Sequence, residues 1–365
     1  MSEWQTFCLK DLGKIVGGAT PSTNNPKNYG NKIAWITPKD LSTLQGHYIK
    51  KGSRSISRLG FKSCSCVLLP KHAILFSSRA PIGYVAIAKK RLCTNQGFKS
   101  IIPNKKIYFE FLYYLLKYHK DNISNIGGGT TFKEVSGATL GLFEVKIPPT
   151  YYEQQKIART LSVLDQKIEN NHKINELLHN LAYKVYEYYF KYKPKNAKLE
   201  QIIIENPKSG IMVKNAQKTQ DKYPFFTSGD NILSYPKAII DGRNCFLNTG
   251  GNAGIKFYVG KASYSTDTWC ICANEFSDYL YLLLSSIKTY INQSFFQGTS
   301  LKHLQKNLLK KYPIYMPSVH EIKKFNQIIM PLLTLISINT RTSKKLEQIR
   351  DFLLPLLLKQ QVKPQ

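Results

Sequence analysis

An internal repeat constrains the fold of this chain more than any other feature of its sequence. Residues 129–148 begin with Gly-Thr-Thr-Phe-Lys, and a shift of 169 places them on residues 298–317, which begin with Gly-Thr-Ser-Leu-Lys. After one residue of slippage the shift becomes 168 and holds over the next forty positions. Both segments lead into a long helical pattern, so the sequence predicts two similar halves that each end in a helix.

Each helical pattern carries apolar residues at an average spacing of 3.5, as the seam of a coiled coil does. A polar residue interrupts the two seams at the same place, Asn171 and Asn339, and buried asparagine can fix the register of such helices. We expect the helices to pack on each other, and the repeat favours an antiparallel pair. The alternative, two ordinary amphipathic helices on separate domains, does not explain why the interruptions coincide. The predicted seam consists of Ile157, Leu161, Leu164, Ile168, Asn171, Leu178, Ile329, Leu332, Ile336, Asn339, Leu346 and Leu353.

Two prolines limit the second helix. Proline costs about 3 kcal/mol in a helix interior. We therefore expect Pro331 near a helix start or kink and Pro355 near the end, with the straight part between them.

The regions before the helices repeat more weakly and are typical of short β-strands separated by Gly, Pro and Asn turns. The predicted fold class is α+β: two β-rich globular domains separated by two long helices that form an antiparallel coiled coil, with pseudo-two-fold symmetry. The predicted boundaries are 1–150 for the first domain, 151–195 for the central helix, 196–318 for the second domain and 319–365 for the C-terminal helix.

The charge favours a polyanionic partner. The chain has 52 Lys and Arg residues against 23 Asp and Glu, a net charge of +29 that is spread over both halves. Such an excess attracts nucleic acid, although a lysine-rich composition that serves solubility is the alternative. No apolar stretch is long enough for a transmembrane helix, and the N-terminus lacks a signal-peptide pattern. We therefore expect no membrane association.

The seven cysteines are scattered and lack metal-ligand spacing, so we expect no metal site and free thiols in a reducing compartment, the cytoplasm.

No catalytic motif is evident. An adenine methyltransferase would need an Asn/Asp-Pro-Pro-aromatic loop, but the Pro148-Pro149 pair lies between Ile147 and Thr150. The Gly-rich phosphate loop of ATP-binding proteins is also missing. We expect no catalytic residues and no cofactor in this chain.

Several segments, in this order, resemble the specificity subunit of type I restriction-modification enzymes. They are residues 36–41, 75–84, 148–158, 161–168 and 346–355. The resemblance extends over nearly the whole chain. The second half departs from the first, with Gly250-Gly251 where the first half has Arg79-Ala80, and with residues 321–324 in place of the Glu-Gln-Gln-Lys run at 153–156.

The resemblance implies two target-recognition domains that each read one half of a bipartite site in double-stranded DNA, with the coiled coil as a spacer. The implied partners are two methyltransferase subunits and, for cleavage, restriction/translocase subunits. S-adenosylmethionine, ATP and Mg would then belong to those partner subunits. A specificity subunit of a methylation-only or type IIB-like system is the alternative. An enzyme that acts alone and a basic adaptor protein are rivals of other classes.

Candidate DNA contacts are polar or basic residues on turn-like or Gly-rich segments, where a backbone can approach a ligand closely. For Ser77, Ser78 and Arg79 the alternative is a structural turn with a solvated arginine, and for Thr130 and Thr299 it is helix capping. Arg54 and Arg58 can also be solvated, and Asp40 can neutralise Lys39. The full set is Lys39, Arg54, Arg58, Ser77, Ser78, Arg79, Thr130, Thr131, Lys133, Arg243, Asn252, Thr299, Ser300 and Lys302.

Overall fold

The computed structural model describes residues 3–129, 133–216 and 222–363. The chain divides into two compact units. Unit 1 contains residues 1–169 and 346–365, and unit 2 contains residues 170–345. Each unit therefore combines one β-rich globular region with a segment of each of two long helices.

The globular region of unit 1 is built on a five-stranded sheet of order β2-β9-β6-β7-β4, a three-stranded sheet of order β5-β3-β8 and the pair β1-β10. The strands are β1 (Gln5–Cys8), β2 (Gly13–Gly17), β3 (Tyr29–Ile36), β4 (Tyr48–Ile49), β5 (Arg54–Ile56), β6 (Ile74–Ser78), β7 (Ile82–Ala88), β8 (Cys93–Thr94), β9 (Lys99–Pro103) and β10 (Glu144–Ile147). The helices are α1 (Leu9–Leu12), α2 (Pro38–Ser42), α3 (Arg58–Lys62), α4 (Phe109–Asn125) and α5 (Gly137–Gly141).

The first long helix, α6, extends over Tyr151–Tyr186 and continues as a π-helical turn, Glu187–Lys191. The globular region of unit 2 follows it. Its strands are β11 (Ala197–Lys198), β12 (Ile204–Glu205), β13 (Tyr223–Phe226), β14 (Leu233–Tyr235), β15 (Arg243–Asn248), β16 (Ile255–Val259), β17 (Ser263–Tyr264), β18 (Thr268–Cys272), β19 (Phe296–Gln297), β20 (His303–Leu304) and β21 (Pro313–Ile314). Its helices are α7 (Ser277–Ser286), α8 (Lys288–Ser294) and α9 (Lys306–Lys310).

The two globular regions share a strand order, as the weak repeat predicted. The sheet β12-β18-β15-β16 corresponds to β2-β9-β6-β7, the sheet β14-β13-β17 to β5-β3-β8, and the pair β11-β21 to β1-β10. In both regions an antiparallel hairpin, β6–β7 or β15–β16, lies within the larger sheet. The prediction of an α+β fold with two β-rich regions is confirmed.

The second long helix, α10, extends over Val319–Leu358 without interruption. Pro355 lies three residues before the end of α10, as expected, whereas Pro331 lies in the interior, twelve residues after the helix begins, and not near its start. Packing offsets the local cost, since Ile329 and Leu333 on either side of Pro331 are buried in the core of unit 2. Leu354 and Leu357 beside Pro355 are buried in the core of unit 1.

The predicted seam exists in both units. In unit 1, Ile157 and Leu161 of α6 belong to the same buried cluster as Leu354 and Leu357 of α10. In unit 2, Ile329 and Ile336 of α10 lie in the main core, and Leu178 and Leu332 pack against that core. None of the predicted seam residues is fully exposed.

Hydrogen bonds across the seam of unit 2 set the direction of the two helices. The Asn171 side-chain amide donates to the Ser343 hydroxyl at 3.1 Å, and the Asn339 amide donates to the Asn175 carbonyl oxygen at 2.9 Å. As residue numbers rise along α6 they fall along α10, so these segments are antiparallel. Asn171 corresponds to Asn339, and Ser343 to Asn175, when the residue numbers are shifted by 168. A local two-fold axis that relates the two helices would produce this exchange of partners.

Candidate nucleic-acid interface

The turn at the end of the β6–β7 hairpin lies beside a Gly-rich segment that is distant in the sequence. Arg79 and Gly128 each form a β-bridge with Glu134, and the Val135 amide donates to the Ser78 carbonyl at 3.0 Å. The turn 79–81 therefore lies beside the segments 127–129 and 133–135. We call these three segments the first hairpin tip.

Positive charge at the first hairpin tip is partly offset by one carboxylate. Glu134 lies 3.6 Å from the Arg79 guanidinium and 3.4 Å from the Lys99 ammonium group. The Arg79 side chain remains 37% exposed, and Lys133 is exposed. Thr130 and Thr131 lie outside the described residues.

The β15–β16 hairpin of unit 2 ends in the same arrangement. Gly250 bridges His303, and the Gly251 amide donates to the Lys302 carbonyl at 2.9 Å. We call the turn 249–254 with the segment 298–303 the second hairpin tip. Its predicted contact residues Asn252, Thr299, Ser300 and Lys302 are all exposed.

Glycine is required at the start of segment 298–303 in the second hairpin tip. Gly298 has φ +141°, and a Cβ atom there would lie 2.4 Å from the Leu301 carbonyl oxygen. Only glycine adopts this backbone without strain. The loop can therefore fold tightly and present the exposed residues 299, 300 and 302.

A half-buried lysine beside the second hairpin tip was not found from the sequence. The Lys256 ammonium group donates to the carbonyl oxygens of Thr227 and Gly229, at 2.7 and 2.6 Å. It also contacts the Asn248 side-chain oxygen at 3.3 Å, and burial lowers the pKa of Lys256. Lys256 thus orders a neighbouring loop, and in a lysine-rich sequence nothing distinguished it from the exposed lysines.

Three predicted contacts lie elsewhere in unit 1. Lys39 is exposed on α2, Arg58 is exposed at the start of α3, and Arg54 on β5 lies over the Tyr29 ring at 5.9 Å. Asp40 does not form an ion pair with Lys39. Its carboxylate instead accepts hydrogen bonds from the Thr37 amide and hydroxyl and from the Ser53 amide, which leaves the lysine charge available.

The structure corrects the choice of Ser77 and Ser78. Both are fully buried. The Ser77 hydroxyl donates to the Pro81 carbonyl and accepts from the Tyr84 amide, both at 2.8 Å, and the Ser78 hydroxyl donates to the Gly97 carbonyl at 3.3 Å. These bonds hold the hairpin turn, as the structural alternative proposed, and we withdraw both serines from the candidate contacts.

Arg243 is also corrected. It begins β15, at the end of the strand that is remote from the second hairpin tip. Its guanidinium forms a two-pronged ion pair with the buried Asp278 and donates to the Thr334 hydroxyl at 3.0 Å. Burial raises the pKa of Asp278 and the arginine opposes this rise. These contacts occupy the arginine within unit 2, so we remove it from the candidate base contacts.

A buried polar cluster in unit 1 joins α4, α6 and α10. Asp165 of α6 accepts a hydrogen bond from the Tyr114 hydroxyl at 2.6 Å and from Arg350 of α10 at 2.7 Å. Burial tends to raise the pKa of Asp165, but the charges of Arg350 and Lys117 and the Tyr114 hydroxyl lower it below its ordinary value. In the sequence, Arg350 falls between the seam residues Leu346 and Leu353 at intervals of four and three, so a charge at this seam position was the signal for a buried partner.

The chain belongs to the family whose model is described as the type I restriction modification DNA specificity domain. That model matches twice, over residues 1–180 and 195–348. The two matches contain the two hairpin tips, so the resemblance inferred from sequence segments is confirmed.

Similar curated proteins carry related names. The chain is 33% identical to the type I restriction enzyme MjaIX specificity subunit of Methanocaldococcus jannaschii, over 98% of this chain and 93% of that protein. It is 32% identical to the type I restriction enzyme HindI specificity subunit of Haemophilus influenzae, over 46% of this chain and 37% of that protein.

A solved structure has the same fold. The crystal structure of the S subunit of a type I restriction-modification system from M. genitalium matches with a TM-score of 0.64. The match covers 98% of this chain and 96% of the other, at 18% sequence identity. Among the described residues, no helix combines the length and the apolar character needed to span a membrane.

Proposed function

We propose that this chain recognises a bipartite site in double-stranded DNA, with each hairpin tip contacting one half-site. One observation carries the proposal: in each unit a hairpin turn pairs with a later glycine-containing segment in the same arrangement, with different side chains. Arg79-Ala80 in the first hairpin tip corresponds to Gly250-Gly251 in the second. Two hairpin tips with the same backbone arrangement but different contact residues would recognise two half-sites of different sequence.

The exposed groups at the tips suit the chemistry of a duplex. Lys133 and Lys302 offer phosphate contacts, and Arg79 and Asn252 can donate to base edges in a groove. The net charge of +29 supplies the general attraction to a polyanion. We propose that catalysis and the binding of S-adenosylmethionine, ATP and Mg belong to partner subunits.

The long helices support the proposed role of a spacer. The 36 residues of α6 correspond to about 54 Å of helix, comparable with ~1.5 turns of duplex at ~34 Å per turn. Insertion of one helical repeat between Ile168 and Leu178 should therefore lengthen the spacer and leave the half-site sequences unchanged.

An outward apolar stripe supports helical partners of the methyltransferase class. Besides the inner seam, both long helices carry exposed apolar residues separated by 3, 4, 7 or 11 residues, as the members of an interrupted heptad stripe are. Leu177 on α6 is 68% exposed, Tyr188 in the π-helical turn that follows α6 is 86% exposed, and Phe352 on α10 is 67% exposed. The exposed members are Val163, Ile174, Leu177, Leu181, Tyr188, Leu335, Ile338, Ile349 and Phe352. In helical bundles, further helices pack onto a second apolar stripe of this kind. We propose that helices of methyltransferase subunits bind to it.

The test is methylome sequencing of the host with and without this gene. We expect loss of the gene to abolish methylation at one bipartite motif. Arg79→Ala should then weaken or relax recognition of one half of that motif only. An unchanged methylome, or a purified chain whose duplex affinity does not fall with salt, would contradict the proposal.

A further inference from the structure

We propose that polar contacts between each globular region and the long helices of its own unit determine which half-site spacing the protein accepts. We call these contacts the domain clamps. The inference rests on the proposed function, because it assigns residues that position the DNA-contacting surfaces and do not themselves touch DNA.

The first observation is that the same helical position contacts the globular region in both units, although the contacted segments differ. The His47 backbone amide donates to the Glu169 carboxylate of α6 at 3.1 Å. The Val259 backbone amide donates to the Ser337 hydroxyl of α10 at 3.0 Å. Glu169 and Ser337 are separated by the repeat shift of 168, so the same helical position accepts a backbone hydrogen bond in each unit.

Glycines beside both contacts leave room for the helix side chains. Gly46 has φ +98°, and a Cβ atom there would lie 2.0 Å from the Glu169 carboxylate. Gly260 has φ +120°, and a Cβ atom there would lie 2.8 Å from the Arg341 guanidinium. The Arg341 guanidinium in turn donates to the Val259 carbonyl at 2.9 Å. A larger residue at either glycine would displace the end of the Glu169 or Arg341 side chain from its contact, and the positive φ would add backbone strain.

Each unit then adds contacts of its own. In unit 1, Tyr114 on α4 donates to Asp165, and the Asp165 side chain is only 7% exposed. In unit 2, Arg243 at the start of β15 donates to the Thr334 hydroxyl and to the Met330 carbonyl of α10. The two clamps thus share one contact position and differ in the remaining residues, so each can be altered alone.

Duplex geometry explains why such contacts would control spacing. One extra base pair between the half-sites moves the second half-site by about 3.4 Å and rotates it by roughly 35°. A globular region held firmly on its helix cannot follow this change. Loss of a clamp bond would let it rotate, and binding to the altered spacing would improve relative to the native one.

The experiment measures binding of the full chain to duplexes that carry the host motif with its native spacing or with one base pair more or less. Tyr114→Phe removes a clamp hydroxyl in unit 1, and Tyr113→Phe is the matched control, because Tyr113 is buried beside it on α4. Ser337→Ala removes the shared contact in unit 2. Its control is Ser162→Ala, because the buried Ser162 donates to the Arg159 carbonyl of its own helix.

We expect both clamp variants to reduce the discrimination between native and altered spacing about three- to tenfold, the effect of one hydrogen bond, while both controls match the wild type. Discrimination that stays unchanged in both clamp variants would overturn the proposal. Equal loss of binding to all duplexes would also overturn it, because base recognition and not spacing would then depend on these residues. If the wild-type chain binds none of the duplexes, the proposed function itself fails.

Discussion

Replacing Asp165 with leucine should destabilise unit 1, and replacing Arg350 with alanine in the same chain should recover much of the loss. The side chains of Asp165 and Arg350 are 7% and 14% exposed. Removing one partner of a buried ion pair costs about 3–5 kcal/mol. We expect a value near the lower limit, because Arg350 keeps a hydrogen bond to Asp351 at 2.9 Å.

The internal repeat indicates which residues should replace Asp165 and Arg350 in the double variant. The same shift of 168 residues relates Asp165 to Leu333 and Arg350 to Ala182. Leu333 and Ala182 are both buried in unit 2. The combination of Asp165→Leu and Arg350→Ala therefore introduces an apolar pair that the chain already uses. Buried ion pairs can often be replaced by apolar residues without net loss.

Thermal and urea unfolding followed by circular dichroism provide the assay. The single Asp165→Leu variant should lower Tm by roughly 6–12 °C, at ~2–4 °C per kcal/mol. Gln166→Leu, a change at the next and exposed position, should have little effect and serves as the control. If the double variant loses as much stability as the two single variants added together, Asp165 and Arg350 are not coupled and the reasoning fails.

Three further predictions follow from the described surfaces and charges. Lys302→Ala should reduce the slope of log affinity against log salt by about 1, as expected for one phosphate contact, whereas Lys359→Ala should leave the slope unchanged; fluorescence anisotropy at several salt concentrations measures both. Leu177→Asp should prevent co-purification with the methyltransferase subunits while leaving Tm unchanged, and Leu59→Asp, at an exposed site on α3 away from the outward stripe, should not. Because the pKa of Asp165 is lowered in the folded chain, its ionised form stabilises unit 1 above about pH 4, and this contribution is lost as pH falls further; an Asp165→Asn chain should therefore lose less stability than the wild type between pH 5 and pH 3.

The sequence was most informative where periodicity determines structure. The apolar spacing of 3.5 predicted both long helices and their mutual seam, because a stripe that regular needs a partner helix. The aligned polar positions Asn171 and Asn339 also predicted a shared register. The structure adds that each of them pairs with the next polar residue of the opposite seam, Ser343 or Asn175.

Single residues were harder to place, because their roles depend on contacts distant in sequence. Ser77 and Ser78 have the composition of a ligand-binding turn, but their hydroxyls are used to hold the turn itself. Arg243 has the chemistry of a base contact, yet Asp278 and Thr334 occupy it. The sequence contains no local pattern that separates these cases from the exposed Lys302.

The way the two units divide the long helices has a consequence for biosynthesis. The core of unit 1 contains Ile157 and Leu161 from α6 together with Leu354 and Leu357 from α10. All of unit 2, residues 170–345, is synthesised between these two contributions. During synthesis, unit 1 therefore keeps part of its apolar surface exposed until the end of α10 has been made, whereas unit 2 can fold earlier. The region translated first is thus the last to be completed, and an aggregation-prone intermediate would come from unit 1.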